Sequence, residues 1–206
     1  MRYEQLQEIY GGEDYYWGTE SNGFAETALG YLREPEGRRA LDLGAGEGRD
    51  AVLFADRGLR TLAVDISPNG LEKAGRLAGE RGVRIETRRG DVNDLVLDDT
   101  FDLVYSIGTV QYIEPARRPE RFEHLREVTA PFGLHALLTF VEHPDVPPAP
   151  DWGENEYLYA SGELRSYYAG WECLHARDFV FDDDSGGEPH QHAVEEYVFQ
   201  KPADSS

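Results

Sequence analysis

Ala40-Leu41-Asp42-Leu43-Gly44-Ala45-Gly46-Glu47-Gly48-Arg49-Asp50 is the stretch whose reading decides the fold. A short apolar run ends in three alternating glycines and then turns helical, the pattern of a buried strand, a tight loop and a helix. Glycines at 44, 46 and 48 remove Cβ atoms where the backbone must turn sharply and let a ligand approach closely, which points to a nucleotide-sized ligand. The alternative is a glycine-rich turn that holds nothing.

Two details decide between nucleotides. The dinucleotide fingerprint requires a third glycine five positions after the first, and Arg49 stands there. Asp42 also places a carboxylate at the mouth of a loop where a pyrophosphate would otherwise meet the helix N-terminus. An acid there repels NAD and attracts S-adenosylmethionine (SAM), which carries an ammonium and a sulfonium and no phosphate.

Working outward, Leu62-Ala63-Val64-Asp65 is a second buried strand ending in an acid. At its offset from the first glycine, Asp65 can accept both hydroxyls of a ribose. Pro68 opens a helix to Glu80 capped by Ser67. Val83–Thr87 reads as a third strand, followed by Gly90-Asp91-Val92, where Asp91 can accept from an adenine amino group or be an ordinary turn residue. Phe101–Ser106 is a fourth strand running into Ile107-Gly108; a helix over Pro119–Thr129 and a strand over Leu134–Val141 follow. Strands alternating with helices imply a parallel doubly wound α/β sheet whose ligands lie beyond the strands' carboxyl ends. Asp42, Asp65, Asp91 and Ser106–Gly108 all fall at such ends.

Upstream, helical spacing over 3–10 and 23–33 brackets the aromatic segment Gly11–Gly18, which reads as a lid or as a packed loop. Downstream, 142–160 is rich in proline and acid and reads as a mobile loop near the acceptor pocket. A helix over Ser161–Tyr168, strands over Trp171–Phe181 and Ala193–Gln200, and a loop over Asp182–Pro189 close the chain. His190 and His192 have no third ligand nearby in sequence, so no metal is expected. Cys173 reads as a buried structural thiol.

The 206 residues are expected to form one domain, with 1–35 as a helical lid segment. A net charge of -20 argues against nucleic acid as a partner. Only Lys73 and Lys201 are lysines, and the acid is spread along the whole chain. We read this charge as adaptation to high salt. No long apolar run and no signal-like N-terminus are present, so a cytoplasmic protein without membrane contact is expected.

Leu41–Gly48, Val64-Asp65 and Gly90-Asp91-Val92 resemble the motifs of the class I SAM-dependent methyltransferases in order and spacing. The resemblance implies a Rossmann-like sheet of seven strands in the order 3-2-1-4-5-7-6, the seventh antiparallel, with helices on both faces. Gly162–Glu172, Gly187-Glu188-Pro189-His190 and Gly48-Arg49-Asp50 are similar to the tellurite-resistance methyltransferases, except that Gln191 stands where those proteins carry arginine. The resemblance implies SAM as cofactor, S-adenosylhomocysteine as product and a small-molecule acceptor: a tellurite- or selenite-type oxyanion or a soft organic nucleophile.

On this reading Asp42, Gly44, Ala45 and Gly46 hold the methionine end with Ser106, Ile107 and Gly108. Asp65 takes the ribose and Asp91 the adenine, with Ile66 and Val92 on its faces. Tyr16, Trp17 and Tyr112 are expected around the acceptor, with Arg165, which either binds an anionic substrate or pairs with a neighbouring acid, and His190, which is either a general base or a polar loop residue. The loss of charge at Gln191 favours a neutral or singly charged acceptor. A SAM-binding protein without transfer activity is the alternative, and the protein is expected to be a monomer or homodimer.

Overall fold

The computed structural model describes residues 3–150, 152–153, 155–184 and 187–203. Met1, Arg2, Asp151, Glu154, Ser185, Gly186 and Asp204–Ser206 lie outside the described residues, so parts of the expected lid segment, of the 142–160 and 182–189 loops and of the C-terminus are not covered.

Seven strands, β1 (Arg39–Leu43), β2 (Arg60–Asp65), β3 (Glu86–Arg89), β4 (Phe101–Ile107), β5 (Thr129–Phe140), β6 (Glu172–Asp183) and β7 (His190–Gln200), form one sheet. Their order is β3-β2-β1-β4-β5-β7-β6, as the motif resemblance implies. The first five run parallel, and β7 is antiparallel to both β5 and β6. Helices α1 (Tyr3–Gly11), α2 (Gly23–Tyr31), α3 (Arg49–Asp56), α4 (Pro68–Glu80), α5 (Arg118–Glu127) and the single turn α6 (Glu163–Ser166) accompany the strands.

The central strands are apolar on both faces, as a covered parallel sheet requires. Leu41, Leu43, Val64, Val104 and Leu137 point into one core with Phe122, Tyr159 and Phe199. Their neighbours Ala40, Leu103, Tyr105 and Ala136 point into the other with Phe24 and Phe54. Chain order reverses on either side of β1, whose neighbours are β2 and β4. The crevice beyond their carboxyl ends is where an open α/β sheet binds ligands.

Local signals hold where one residue decides them. Ser67 caps α4, its Oγ accepting from Gly70 N at 3.1 Å, with Pro68 in the first helical turn. Elsewhere the boundaries move. The third strand is Glu86–Arg89 rather than Val83–Thr87, because Val83 and Ile85 pack against Leu77 and Ala78 of α4 and leave polar residues to pair at the sheet edge. The helix expected over Ser161–Tyr168 shrinks to Glu163–Ser166. β7 begins three residues early, at His190, and β6 runs two residues further, to Asp183, so the two histidines sit on a strand whose first residue pairs with Asp183.

Candidate active site

The loop after β1 is built on left-handed backbone that glycine adopts without strain: φ is 82° at Gly44, 52° at Gly46 and 88° at Gly48. A Cβ on Gly44 would lie 1.8 Å from Thr109 Oγ1, and one on Gly48 2.5 Å from Ala74 Cβ, so the loop is clasped between the turn after β4 and helix α4. Asp65 fastens it from the next strand: Gly46 N donates to Oδ2 and Ser67 N to Oδ1, both at 2.8 Å. Asp65 therefore shapes the loop as well as facing the space beyond it.

That space is a cavity of about 970 Å³, at the top of the roughly 300–1,000 Å³ range of ligand pockets. Every residue expected around the cofactor lines it except Ser106: Asp42, Gly44, Ala45, Gly46, Asp65, Ile66, Asp91, Val92, Ile107 and Gly108 all do. Ser106 is buried behind the wall, where its Oγ donates to Leu43 O at 2.8 Å and ties β4 to β1. Trp17 and Tyr112 line the cavity too.

Three residues expected at the acceptor do not reach the wall. Tyr16 is exposed, edge-on to Trp17. Arg165 is exposed on α6. His190 lies behind His192, with the two Nε2 atoms 2.9 Å apart. Gln191 alternates to the other face of β7 and donates from Nε2 to Asp182 Oδ1 at 2.8 Å. The charge at that position therefore does not face the cavity, which corrects the expectation that Gln191 tunes the acceptor site.

The cavity's electrostatics are acidic. Burial, reinforced by neighbouring Asp50 and Asp65, holds the Asp42 carboxyl well above the usual carboxylate range. Its Oδ2 meets no hydrogen-bond partner among the described residues. Burial also raises Asp50, although Asn22 N at 2.6 Å and the Tyr105 hydroxyl at 3.2 Å donate to it, and burial raises Asp65. A buried carboxylate oxygen without a donor, on a wall of glycines, fits a ligand that brings its own positive charge.

The segment Asp14–Gly18 is latched over this loop by contacts to Glu47, Arg49, Lys73 and Tyr10. Lys73 Nζ pairs with Glu47 Oε1 at 2.7 Å and donates to Asp14 O at 2.5 Å, while Trp17 N donates to Glu47 Oε2 at 3.1 Å. Trp17 Nε1 donates to the Tyr10 hydroxyl at 3.1 Å, and Arg49 Nη1 to Trp17 O at 2.8 Å. Glu47 is the middle residue between two of the loop's glycines, so the Asp14–Gly18 segment and the loop share one buried ion pair.

The far end of the cavity is aromatic. Phe140, Trp152, Phe181 and His192 line it, with Trp152 stacked on His192 at 5.1 Å. Trp152 and Tyr157 come from the proline-rich connection, which is anchored by Tyr157 N donating to Gln111 O at 2.9 Å and by Tyr159 donating to Val110 O at 2.9 Å. The cation here, Arg177, lies 3.9 Å from Glu196. Asp183, read from sequence as one of a loop's aspartates, stands 3.3 Å from His192 Nε2 and supplies the third donor that the sequence lacked beside the histidines.

Residues 40–133 match a family model described as "Methyltransferase domain", and the sheet order is that of class I methyltransferases. This segment is a class I SAM-dependent methyltransferase domain, and SAM is its cofactor. Among curated proteins, the chain is 25% identical over 167 residues to Hemagglutinin 1 of Eikenella corrodens (80% of this chain, 55% of that protein). It is 25% identical over 137 residues to the probable SAM-dependent methyltransferase TehB of Haemophilus influenzae (66% of this chain, 46% of that protein). The chain thus spans about half the length of these relatives. The crystal structure of TehB from H. influenzae superposes with a TM-score of 0.79 at 20% identity, covering 95% of this chain and 67% of that one.

Proposed function

We propose that the protein transfers the methyl group of SAM to a small, neutral or singly charged soft nucleophile, with thiols the first candidates. The observation that carries the cofactor half is the partnerless oxygen of buried Asp42 beside the three glycines. SAM supplies a methyl group on a sulfonium, a leaving group good enough that the protein's task is alignment and exclusion of water. Asp42 pairs with the ammonium, Asp65 offers its remaining lone pairs to the ribose hydroxyls, and Asp91 and Val92 meet the adenine. Trp17, held by the Glu47–Lys73 pair, closes the entrance. Tyr112 borders the acceptor.

The acceptor half rests on charge. Asp183, Glu156 and Glu196 line the cavity, and Arg177 lies near Glu196. A doubly charged oxyanion would need paired cations or strong donors to offset its lost hydration, and neither Arg165 nor Gln191 faces it. Turnover of labelled SAM by a panel of thiols, tellurite and selenite at matched salt tests both halves. Thiol methylation should exceed oxyanion methylation; faster turnover of tellurite would overturn the acceptor reading, and SAM binding without any turnover would favour the sensor alternative.

Asp42→Asn should weaken SAM binding by about 2–3 kcal/mol, the value of a hydrogen bond to a charged group with its partner left unmet. Because burial raises the Asp42 pKa, the cation must displace a proton in acid, so wild-type affinity should fall as pH falls through that raised pKa and the variant's should not. Calorimetric titration at several pH values measures this; superimposable pH profiles would remove Asp42 from the ammonium site.

We infer also that the chain works at high salt. With a net charge of -20, screening to a Debye length of about 3 Å at 1 M should raise the melting temperature. A flat or falling curve against KCl would sink that reading.

A further inference from the structure

We propose that His190, His192 and Asp183 form a metal site for Zn²⁺ or a cation of similar size and softness at the acceptor end of the cavity. The three come together across the β6–β7 hairpin, where Asp183 pairs in register with His190, and His192 projects from the same face two residues on. His190 Nε2, His192 Nε2 and Asp183 Oδ2 lie 2.9, 3.3 and 3.8 Å from one another. A tetrahedral metal with bonds of about 2.0–2.1 Å has ligand-to-ligand edges of about 3.3–3.4 Å, and these three distances straddle that value.

The orientation of His190 is set from outside the cluster. His190 Nδ1 lies 2.7 Å from Glu188 O, a carbonyl that can only accept, so the proton of His190 sits on Nδ1 and its Nε2 lone pair faces inward. That outer bond fixes tautomer and ring direction in the way metal-binding histidines are held. His192 Nε2 and Asp183 Oδ2 converge on the space that this lone pair faces. A cation satisfies all three donors at once.

The histidine side chains are 7% and 4% exposed, and Phe140, Trp152 and Phe181 surround His192. Asp183 and His192 line the cavity. Three protein ligands with a fourth position left to an outside molecule is the form of a catalytic rather than a structural zinc site.

For its use, though not for its existence, this inference rests on the methyl-transfer reading. A thiol taking the fourth position would lose its proton to solvent and bind as thiolate. Its sulfur then attacks the SAM methyl; the new S–CH₃ bond forms as the old one breaks, and the electron pair stays on the departing sulfur, giving a thioether and S-adenosylhomocysteine.

Metal binding is measured without SAM or turnover, so it can fail independently of the methyl-transfer reading. Untagged protein, stripped by chelator and dialysed against Zn²⁺ in molar KCl to suppress loose binding to surface acids, should hold one zinc per chain by elemental analysis. Co²⁺ in its place should give the visible bands of a tetrahedral site. His192→Ala and Asp183→Asn should weaken Zn²⁺ binding by more than about a hundredfold, since even loss of an outer-shell partner costs 10–100-fold. Gln191→Ala, on the opposite face of the same strand, should keep its zinc. Absence of stoichiometric zinc and of a cobalt spectrum in the wild type, or zinc retained equally by all the variants, would overturn the site.

Discussion

Lys73→Met is expected to destabilise the protein by about 3–5 kcal/mol, the cost of stranding one member of a buried ion pair. The pair it breaks is closed to water: the Lys73 and Glu47 side chains are 6% and 2% exposed, 2.7 Å apart. Methionine keeps the length and fills the space, so the loss is electrostatic. Glu47 would be left in the interior without its cation, with Trp17 N still donating to its Oε2. Exposed pairs such as Arg57–Glu26 are worth at most about 1 kcal/mol, which sets the scale of the contrast. Because Glu47 sits between Gly46 and Gly48 and Lys73 also holds Asp14 O, the same change should loosen the lid and the glycine loop and weaken SAM binding. Glu47→Gln combined with Lys73→Met removes both charges of the pair and should recover much of the loss. Denaturant unfolding and SAM titration of the single and double variants measure both effects. A single variant within about 1 kcal/mol of wild type, or a double variant worse than the single, would show that the pair does not anchor this segment.

That pair was invisible in the sequence, and the reason is instructive. The partners are 26 positions apart, and neither Glu47, between two glycines, nor Lys73, on a helix, carries a local signal that names the other. The residues expected around the cofactor reach the cavity because an open doubly wound sheet places its ligand crevice beyond the strands' carboxyl ends, so chain position and spatial position coincide. Asp42, Asp65 and Asp91 fall on the cavity for that reason. Ser106 fails the same rule through the pleat: adjacent strand residues face opposite ways, and its hydroxyl turned to β1 rather than to the cavity.

The acceptor half was harder to read because it is assembled across elements distant in sequence. His-Gln-His lacks apolar alternation and falls between the expected loop and the expected strand, so no partner can be read for it from sequence, yet its backbone pairs with Phe181, Asp182 and Asp183. Polar residues on this hairpin face a cavity instead of a core, and pattern reading assumes a core. Alternation along β7 turns Gln191 to the other face, and pairing with β6 brings in Asp183. Arg165, on a single turn of helix at the surface, drew attention through a motif resemblance that carries no geometry.

His135 offers the clearest expected response to pH, and it belongs to the scaffold. Its imidazole is fully buried on β5, with Nδ1 2.7 Å from the Tyr168 hydroxyl and Nε2 2.7 Å from Thr129 Oγ1, which itself donates to Leu125 O at 2.6 Å. The chain of bonds is complete with a neutral ring: Tyr168 donates to Nδ1, and Nε2–H donates to Thr129. Burial, aided by the nearby charges of Lys201 and Arg126, pushes the His135 pKa from 6.5 down to about 3. Between those values the unfolded chain takes up a proton that the folded chain refuses, so stability due to this group is intact above about pH 6.5 and is lost as pH falls toward 3. At about 1.4 kcal/mol per pH unit the full effect approaches about 5 kcal/mol. Asp42, Asp50 and Asp65 act in the opposite sense, because their raised pKa values make ionisation costly in the fold and acid relieves that cost. Comparison with His135→Gln cancels them, since both proteins carry the same carboxylates. Glutamine removes the titration and retains an amide to bond Thr129. Denaturant unfolding of both proteins at steps between pH 7 and 4 should show the wild type losing about 3 kcal/mol relative to the variant over that range, whatever the offset at neutral pH. Parallel curves would mean that the ring takes up its proton inside the fold, and that the Tyr168–His135–Thr129 chain does not hold it neutral.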